Sequence, residues 1–322
     1  VVPVYNAAGG IGAVLEPLFK GEQAPLEIIV ADDASTDDTA EVARSLGASV
    51  VSLAENSGPA AARNRGAEAA RGDIVLFIDA DVIPRSDTVA RVVRHFVEDP
   101  ELAALIGSYD DSPAAPGLIS RYRNLLHHYT HQAGSPDAQT FWGACGAVRR
   151  DVFMQLGGFD AQHYRYPSVE DIDLGLRMKR AGHRIRLDRD LQVTHLKRWT
   201  LASMVHTDIF RRAVPWTRLM LAGEGVPDDL NTQWSRRLAA LGAMVMVGGL
   251  ILALFAPSLL AVSGIGLVVL LVADRGLFAF FRRRYGIAFA LACVPLQVLF
   301  YLYSTLAFVG TAVFGRRTAG HG

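Results

Sequence analysis

The chain has 322 residues, with 32 Lys and Arg balanced by 32 Asp and Glu. A net charge of zero argues against a general nucleic-acid binder, whose footprint is usually basic, and the length suggests about two domains. The two cysteines, Cys145 in a polar region and Cys293 in an apolar tail, imply no disulfide framework and fit a reducing compartment.

Taken in order, the first two hundred residues alternate between short apolar runs and helical patterns. Residues 1–6 read as a strand ending in a loop. The chain begins inside this apolar run without Met, as expected of a piece lacking a few N-terminal residues, and it shows no cleavable signal peptide. A helix follows over 10–19, then a strand over 26–31 ending at Asp32-Asp33. A helix over 37–46 has Ser35, Thr36 and Asp37 as cap candidates. Residues 48–53 read as a strand, the Ala-rich 58–70 as a helix, 74–78 as a strand and 88–97 as a helix. Strands alternating with helices predict βαβ units and an α/β fold with a mostly parallel sheet.

Ligands of such sheets bind at the carboxyl ends of the strands. Three strand ends here carry polar groups: Tyr5-Asn6, Asp32-Asp33 and Asp79-Ala80-Asp81. Alternation along an extended segment points Asp79 and Asp81 the same way. Two like charges so placed resist ionising together. A divalent cation such as Mg²⁺ or Mn²⁺ would remove the conflict and could bridge the carboxylates to a substrate phosphate. A solvated turn that merely stops the strand is the alternative.

Five segments in order bear a family resemblance: VVPVYN at 1–6, EIIVADDASTDDT at 27–39, NSGPAAARNRGAEAARGDIVLFIDAD at 56–81, GACGAVRRDVFMQLGGFD at 143–160 and VEDIDLGLRMKRAG at 169–182. They resemble the inverting family 2 glycosyltransferases of the GT-A fold, in a bacterial membrane-anchored form. The resemblance implies a Rossmann-like domain over 1–200 that uses a nucleotide sugar. Pro3, Val4 and Tyr5 would line the base, and Asp33 would read it, unless Asp33 serves only a turn or helix cap. Arg63 would contact the donor's phosphate side, or else be an exposed helix residue. Asp79 and Asp81 match the D-x-D that holds the metal. Asp171 matches the base that deprotonates the acceptor, with Glu170 beside it in support, although acids in a first helical turn also stabilise the helix dipole. Asp173 reads as helix surface or as a residue supporting the site from behind. Trp142 and Gly143 are candidates for the acceptor site; a glycine-rich turn with a core Trp is the alternative.

His195 stands where related enzymes complete the metal site, though a lone His is often structural. Lys197 and Arg198 are placed to bind diphosphate or to face the membrane. Arg198-Trp199 resembles part of the Q-x-x-R-W motif of processive synthases, which adds Trp199 to the acceptor candidates. His195 stands in place of the Gln, which weakens the processive reading.

Beyond Thr200 the composition changes. Residues 200–221 mix apolar side chains with Arg211, Arg212 and Arg218, as in an interfacial helix broken near Pro215, within a linker over 201–237. Three apolar runs follow at 238–256, 259–273 and 287–314, in a membrane region over 238–315. A span needs about 20 apolar residues. The first and third runs qualify, and the second would need 276–281 as an extension past Asp274 and Arg275. Arg236, Arg237 and Arg282 to Arg284 flank the runs, so the positive-inside rule places those flanks in the cytoplasm. Arg316 and Arg317 would then fall outside if a third span forms. The expectation is a multi-pass protein of the cytoplasmic membrane, its catalytic domain cytoplasmic and its acceptor lipid-linked or membrane-embedded.

Overall fold

The computed structural model describes residues 1–224 and 234–314. The chain divides into two units, Val1–Ala115 with Gly134–Arg198, and Pro116–Ala133 with Trp199–Gly322. Arg316 and Arg317 lie outside the described residues, as does 225–233 of the expected linker.

The first unit opens as expected, with β1 (Val2–Val4), α1 (Ile11–Phe19), β2 (Ile29–Asp32), α2 (Thr39–Ser45), β3 (Ser49–Ser52), α3 (Pro59–Ala69) and β4 (Ile74–Ile78). Strands β1, β2 and β3 pair in parallel, with Val4 beside Asp32 and Asp32 beside Ser52. That register brings the polar ends of β1 and β2 level. The Val1 nitrogen donates to Leu76 O at 2.8 Å and Ile78 N donates to Val1 O at 3.1 Å, which joins β4 to this sheet.

The remaining elements of this unit are β5 (Val82–Pro84), α4 (Thr88–Glu98), β6 (Leu102–Tyr109), β7 (Cys145–Arg149), α6 (Arg150–Gln155), α7 (Glu170–Arg180) and β8 (Arg184–His195). They add a sheet of order β4-β7-β6-β8-β5. It is mixed: β7 runs antiparallel to both β4 and β6, whereas β6 and β8 are parallel. The core lies on both faces. Ile11, Leu15, Val30 and Leu105 belong to one cluster; Phe77, Phe153, Phe159 and Leu174 belong to the other.

Gly58, just ahead of α3, shows how tightly this unit constrains its loops. Its φ is +91°, and a Cβ there would lie 2.0 Å from Arg165 O. Both the backbone conformation and the contact exclude a side chain. Gly58→Ala is expected to cost about 1–3 kcal/mol, the usual range for forced overpacking, read as a lower unfolding temperature of the full chain.

The second unit is helical. It contains α5 (Leu118–Ala133), which falls inside the 1–200 stretch of sequence. After Arg198 come α8 (Leu201–His206), a π-helical segment (Thr207–Ala213), α9 (Val214–Leu219) and a second π segment (Met220–Glu224). Then come α10 (Trp234–Leu252), α11 (Leu260–Ala273) and α12 (Arg275–Phe314). Small residues let α10 and α11 approach closely: a Cβ on Gly242 would lie 2.7 Å from Leu270 N.

Among the described residues, two helices, α10 and α12, are long and apolar enough to cross a membrane. The expected extension of the second run does not form. Asp274 leaves helical geometry at the end of α11 and Arg275 begins α12. Asp274 instead turns inward and accepts from Arg236, Gln297 and Tyr301. Arg282 to Arg284 belong to the first arm of α12 rather than to a connecting loop. A kink follows at Gly286, whose φ of 83° only glycine adopts without strain.

Candidate active site

Helix α3 buries Ala60 and Ala67. Arg63 lies three residues after one and four before the other, so helical spacing puts it on the same inward face. It is not an exposed helix residue; only 5% of it is accessible. Its guanidinium joins two acids from distant parts of the chain. Nη2 donates to Asp79 Oδ1 at 2.6 Å, and Nη1 donates to Glu170 Oε1 at 2.9 Å. Asp79 is delivered by the end of β4, and Glu170 by the first turn of α7. Gly143 makes room for this bridge, since a Cβ there would come 3.3 Å from the guanidinium carbon.

Asp171 sits next to the bridge. Its Oδ2 accepts from Gly143 N at 3.1 Å and its Oδ1 from Ile172 N at 2.8 Å. Burial, with repulsion from Glu170, nevertheless pushes its carboxyl up to about 6. The two amide bonds and the Arg63 charge act the other way. Asp173 does not share this environment; it pairs with Arg177 at 2.8 Å, whose other nitrogens bind Leu156 O and Gly158 O.

Strand pairing brings the second acid of the pair to its neighbour. Val82 on β5 is in register with His195 on β8, and Leu196 N donates to Asp81 O at 2.8 Å. His195 Nε2 therefore lies 3.4 Å from Asp81 Oδ2. Tyr109, at the end of β6, stacks on the imidazole at 4.3 Å and meets Trp142 edge-on at 5.0 Å. Tyr109 was given no role by sequence. Its signal was present, because 102–106 is an apolar run that ends in Ser108-Tyr109-Asp110-Asp111, like the other strand ends.

The two acids of the pair behave differently. Burial, aided by repulsion from Asp81, lifts the Asp79 carboxyl despite Arg63. Burial also opposes ionisation of Asp81, but the His195 contact and the Lys197 ammonium hold it below the usual carboxylate range. Two carboxylates and an imidazole are a donor set suited to Mn²⁺ or Mg²⁺. Among the described residues no three such side chains already converge as a metal site. Asp79 faces Arg63 and Asp81 faces His195.

The remaining candidates are spread more widely. Both oxygens of Asp33 accept backbone N–H groups, from Ser57 at 2.7 Å and Gly58 at 2.8 Å, so it does hold the entry to α3. Pro3 and Val4 are buried in β1 and Tyr5 is exposed. Lys197 and Arg198 are exposed at the end of the first unit. Trp199 begins the second unit, buried, with its backbone N–H donated to Ser120 Oγ at 2.9 Å.

Residues 1–157 match the family model described as glycosyl transferase family 2. Among curated proteins, the chain is 30% identical over 223 residues to a pre-mycofactocin glycosyltransferase of Mycobacterium tuberculosis, covering 65% of this chain and 45% of that one. It is 25% identical over 240 residues to the O-antigen chain rhamnosyltransferase WbaN of Salmonella anatum, covering 70% and 75%. The chain thus spans less than half of the mycobacterial relative. Among solved structures, it superposes on the mannosyltransferase PcManGT of Pyrobaculum calidifontis, solved with GDP-Man and Mn2+, at a TM-score of 0.54 and 20% identity, covering 98% and 86%. The fold is that of the GT-A glycosyltransferases.

Proposed function

We propose, on the premise that residues 1–157 belong to glycosyl transferase family 2, that the chain moves a sugar from a nucleoside-diphosphate donor to a lipid-linked or membrane-associated acceptor. The expected donor is a UDP-sugar, and the transfer inverts the anomeric configuration in one displacement. The observation that supports this most is the joining of Asp79 and Glu170 by one buried guanidinium, with Asp171 alongside. A donor-side acid and an acceptor-side acid are thereby held in one rigid frame.

In this reading Asp171 takes the proton of an acceptor hydroxyl as it attacks. A carboxyl titrating near 6 is mostly ionised at neutral pH, yet more basic than an ordinary Asp, which suits a general base. Glu170 supports it and keeps Arg63 in place. On the donor side, Pro3, Val4 and Tyr5 line the base, and Asp33 has acceptor capacity left for a base N–H beyond its two amide bonds. Asp79, Asp81 and His195 would hold a divalent ion, which supplies Lewis-acid stabilisation of the departing nucleoside diphosphate. Lys197 and Arg198 offer cationic contacts to the same diphosphate, and Trp142 offers an aromatic face to the acceptor, whereas Trp199 is buried in the second unit and has no face to offer.

Membrane anchoring is supported by the outward face of the second unit. Leu241, Ile251, Phe255, Ile265 and Val268 are all exposed. A soluble helical pair would bury such side chains. By the positive-inside rule, Arg237 and Arg282 to Arg284 support a cytoplasmic side for the flanks of these helices.

The test is donor hydrolysis by the detergent-solubilised chain across UDP-, GDP- and dTDP-sugars. Release of one nucleotide that needs Mn²⁺ or Mg²⁺ and falls by about 10²-fold or more in Asp81→Ala is expected, the scale of losing a key charge stabiliser. If no nucleotide is released and calorimetry detects no donor binding, the chain is a binder or scaffold of another kind.

A further inference from the structure

Charge is divided unevenly along the chain. The stretches 116–133 and 199–322, which make up the second unit, hold 13 Arg against 5 Asp and Glu, an excess of 8 cations in a chain of zero net charge. Two of the five acids are buried and already paired: Asp208 accepts from Arg123 at 2.6 Å and Asp274 from Arg236 at 2.9 Å. Setting both pairs aside leaves 11 Arg against 3 acids, and the excess is unchanged. We propose that part of this excess, gathered at the kink of α12, is a docking surface for anionic phospholipid headgroups.

The first arm of α12 buries Leu277 and Phe281, one turn apart, and then presents Arg282-Arg283-Arg284. All three arginines are exposed, and Arg282 and Arg283 form no ion pair with any described residue. Tyr285 brings in a fourth. The guanidinium carbon of Arg284 lies 5.9 Å from the centre of the Tyr285 ring, and that of Arg121, on α5, lies 5.0 Å from it. A cation within about 6 Å of an aromatic face is attracted to it. One ring thus holds together two arginines from different helices that would otherwise repel. A cluster of about four or more basic residues beside a membrane segment attracts anionic lipid, and the planar fork of Arg binds two phosphate oxygens at once.

Exposed apolar side chains select a lipid surface over a free anion or an acidic protein. Just past the kink, Ile287 is 59% exposed and Leu291 63%; four positions apart on the second arm, they share a face. Leu118, one turn before Arg121 on α5, is 39% exposed. Arginines beside such residues match the boundary between headgroups and acyl chains, as in helices that lie at a bilayer surface. An acidic partner alone would set these apolar side chains against charge. The orientation of this surface toward a bilayer rests on the membrane anchoring proposed above; the lipid preference is tested apart from it.

The experiment needs no donor and no turnover. The full chain in detergent is incubated with phosphatidylglycerol or with phosphatidylcholine of the same acyl chains, and retained lipid is read by native mass spectrometry. Phosphatidylglycerol should be retained at least tenfold more. Arg282→Gln with Arg283→Gln should lower its retention about tenfold or more, since one basic residue near an anionic surface is worth about fivefold. Arg282→Lys with Arg283→Lys should keep most of the preference. Equal retention of the two lipids, a preference that survives the double Gln change, or displacement of phosphatidylglycerol by excess inorganic phosphate overturns the proposal. If the double Gln variant does not fold, Leu291→Glu decides, because it keeps every arginine and adds a repelling charge: retention lowered at least fivefold supports the surface and full retention refutes it. Anchoring is read separately, as resistance of the chain in phosphatidylcholine vesicles to alkaline extraction, so that reading can fail or hold without moving the lipid preference.

Discussion

Asp171→Asn is expected to lower kcat by about 10²–10⁴-fold, the usual contribution of a positioned general base, while leaving KM for the donor nearly unchanged. The two amide donors that hold Asp171 come from Gly143 and Ile172, and one of them can still bond the Asn carbonyl. In the wild type, kcat should rise with pH through about 6, where this carboxyl loses its proton, and the rise should vanish in the variant. Stability should move the other way. The folded-state value lies above the usual 3.8, so the native state binds this proton more tightly than the unfolded chain does. The contribution of Asp171 to stability therefore falls as pH climbs from about 4 to 6 and stays at its lowest above that. Asn removes the buried charge, and the variant should unfold at no lower a temperature than the wild type at pH 7.5. A parallel loss of activity and stability would mean that Asp171 is structural. A flat wild-type pH profile, with activity retained in Asp171→Asn, would mean an acceptor that is already anionic and needs no base.

Much of this site can be read in the sequence because its parts are local. A strand that ends in Asp79-Ala80-Asp81, or a helix that begins with Glu170-Asp171, is a short pattern with a physical meaning of its own. The strand–helix alternation from β1 to α4 was legible for the same reason. What joins these parts is not local. Arg63 and Glu170 are separated by 107 positions, and no periodicity reveals that one guanidinium will serve both acids. His195 meets Asp81 only through the register of β5 on β8. Tyr109 reaches His195 from a third strand, and the sheet is mixed because β7 and β5 both pair antiparallel with their neighbours. Gly143 looked like a place for a substrate to approach, whereas the space beside it is filled by Arg63.

The helical unit follows the same rule. Hydropathy located its apolar runs, but length alone could not say where the second one stopped. Asp274 stops it, because a buried carboxylate needs partners and finds them in Arg236, Gln297 and Tyr301. Gly286 then bends the chain between the two arms of α12, a kink that a single glycine between Arg284-Tyr285 and the last apolar run does not announce.

Removing Arg63 should have the largest effect on stability of any single change. Arg63→Met is expected to destabilise the full chain by about 3–5 kcal/mol, the cost of breaking a buried ion pair from one side. Methionine keeps the apolar stem, including its place over the Phe159 ring, which now lies 5.4 Å from the guanidinium carbon. What it cannot keep is charge, and Asp79 and Glu170 would face each other across an uncompensated gap. Those two acids can relieve the gap only by taking up protons, so the loss should be clearly smaller at pH 5 than at pH 8. Adding Asp79→Asn and Glu170→Gln should restore much of the unfolding temperature and none of the activity. Arg63→Lys should not rescue, because one ammonium cannot replace a planar fork that reaches two carboxylates at 2.6 and 2.9 Å. A loss equal at both pH values, unaffected by neutralising the acids, would place the contribution of Arg63 in its packing. The frame that holds donor-side and acceptor-side acids together would then have to be sought elsewhere.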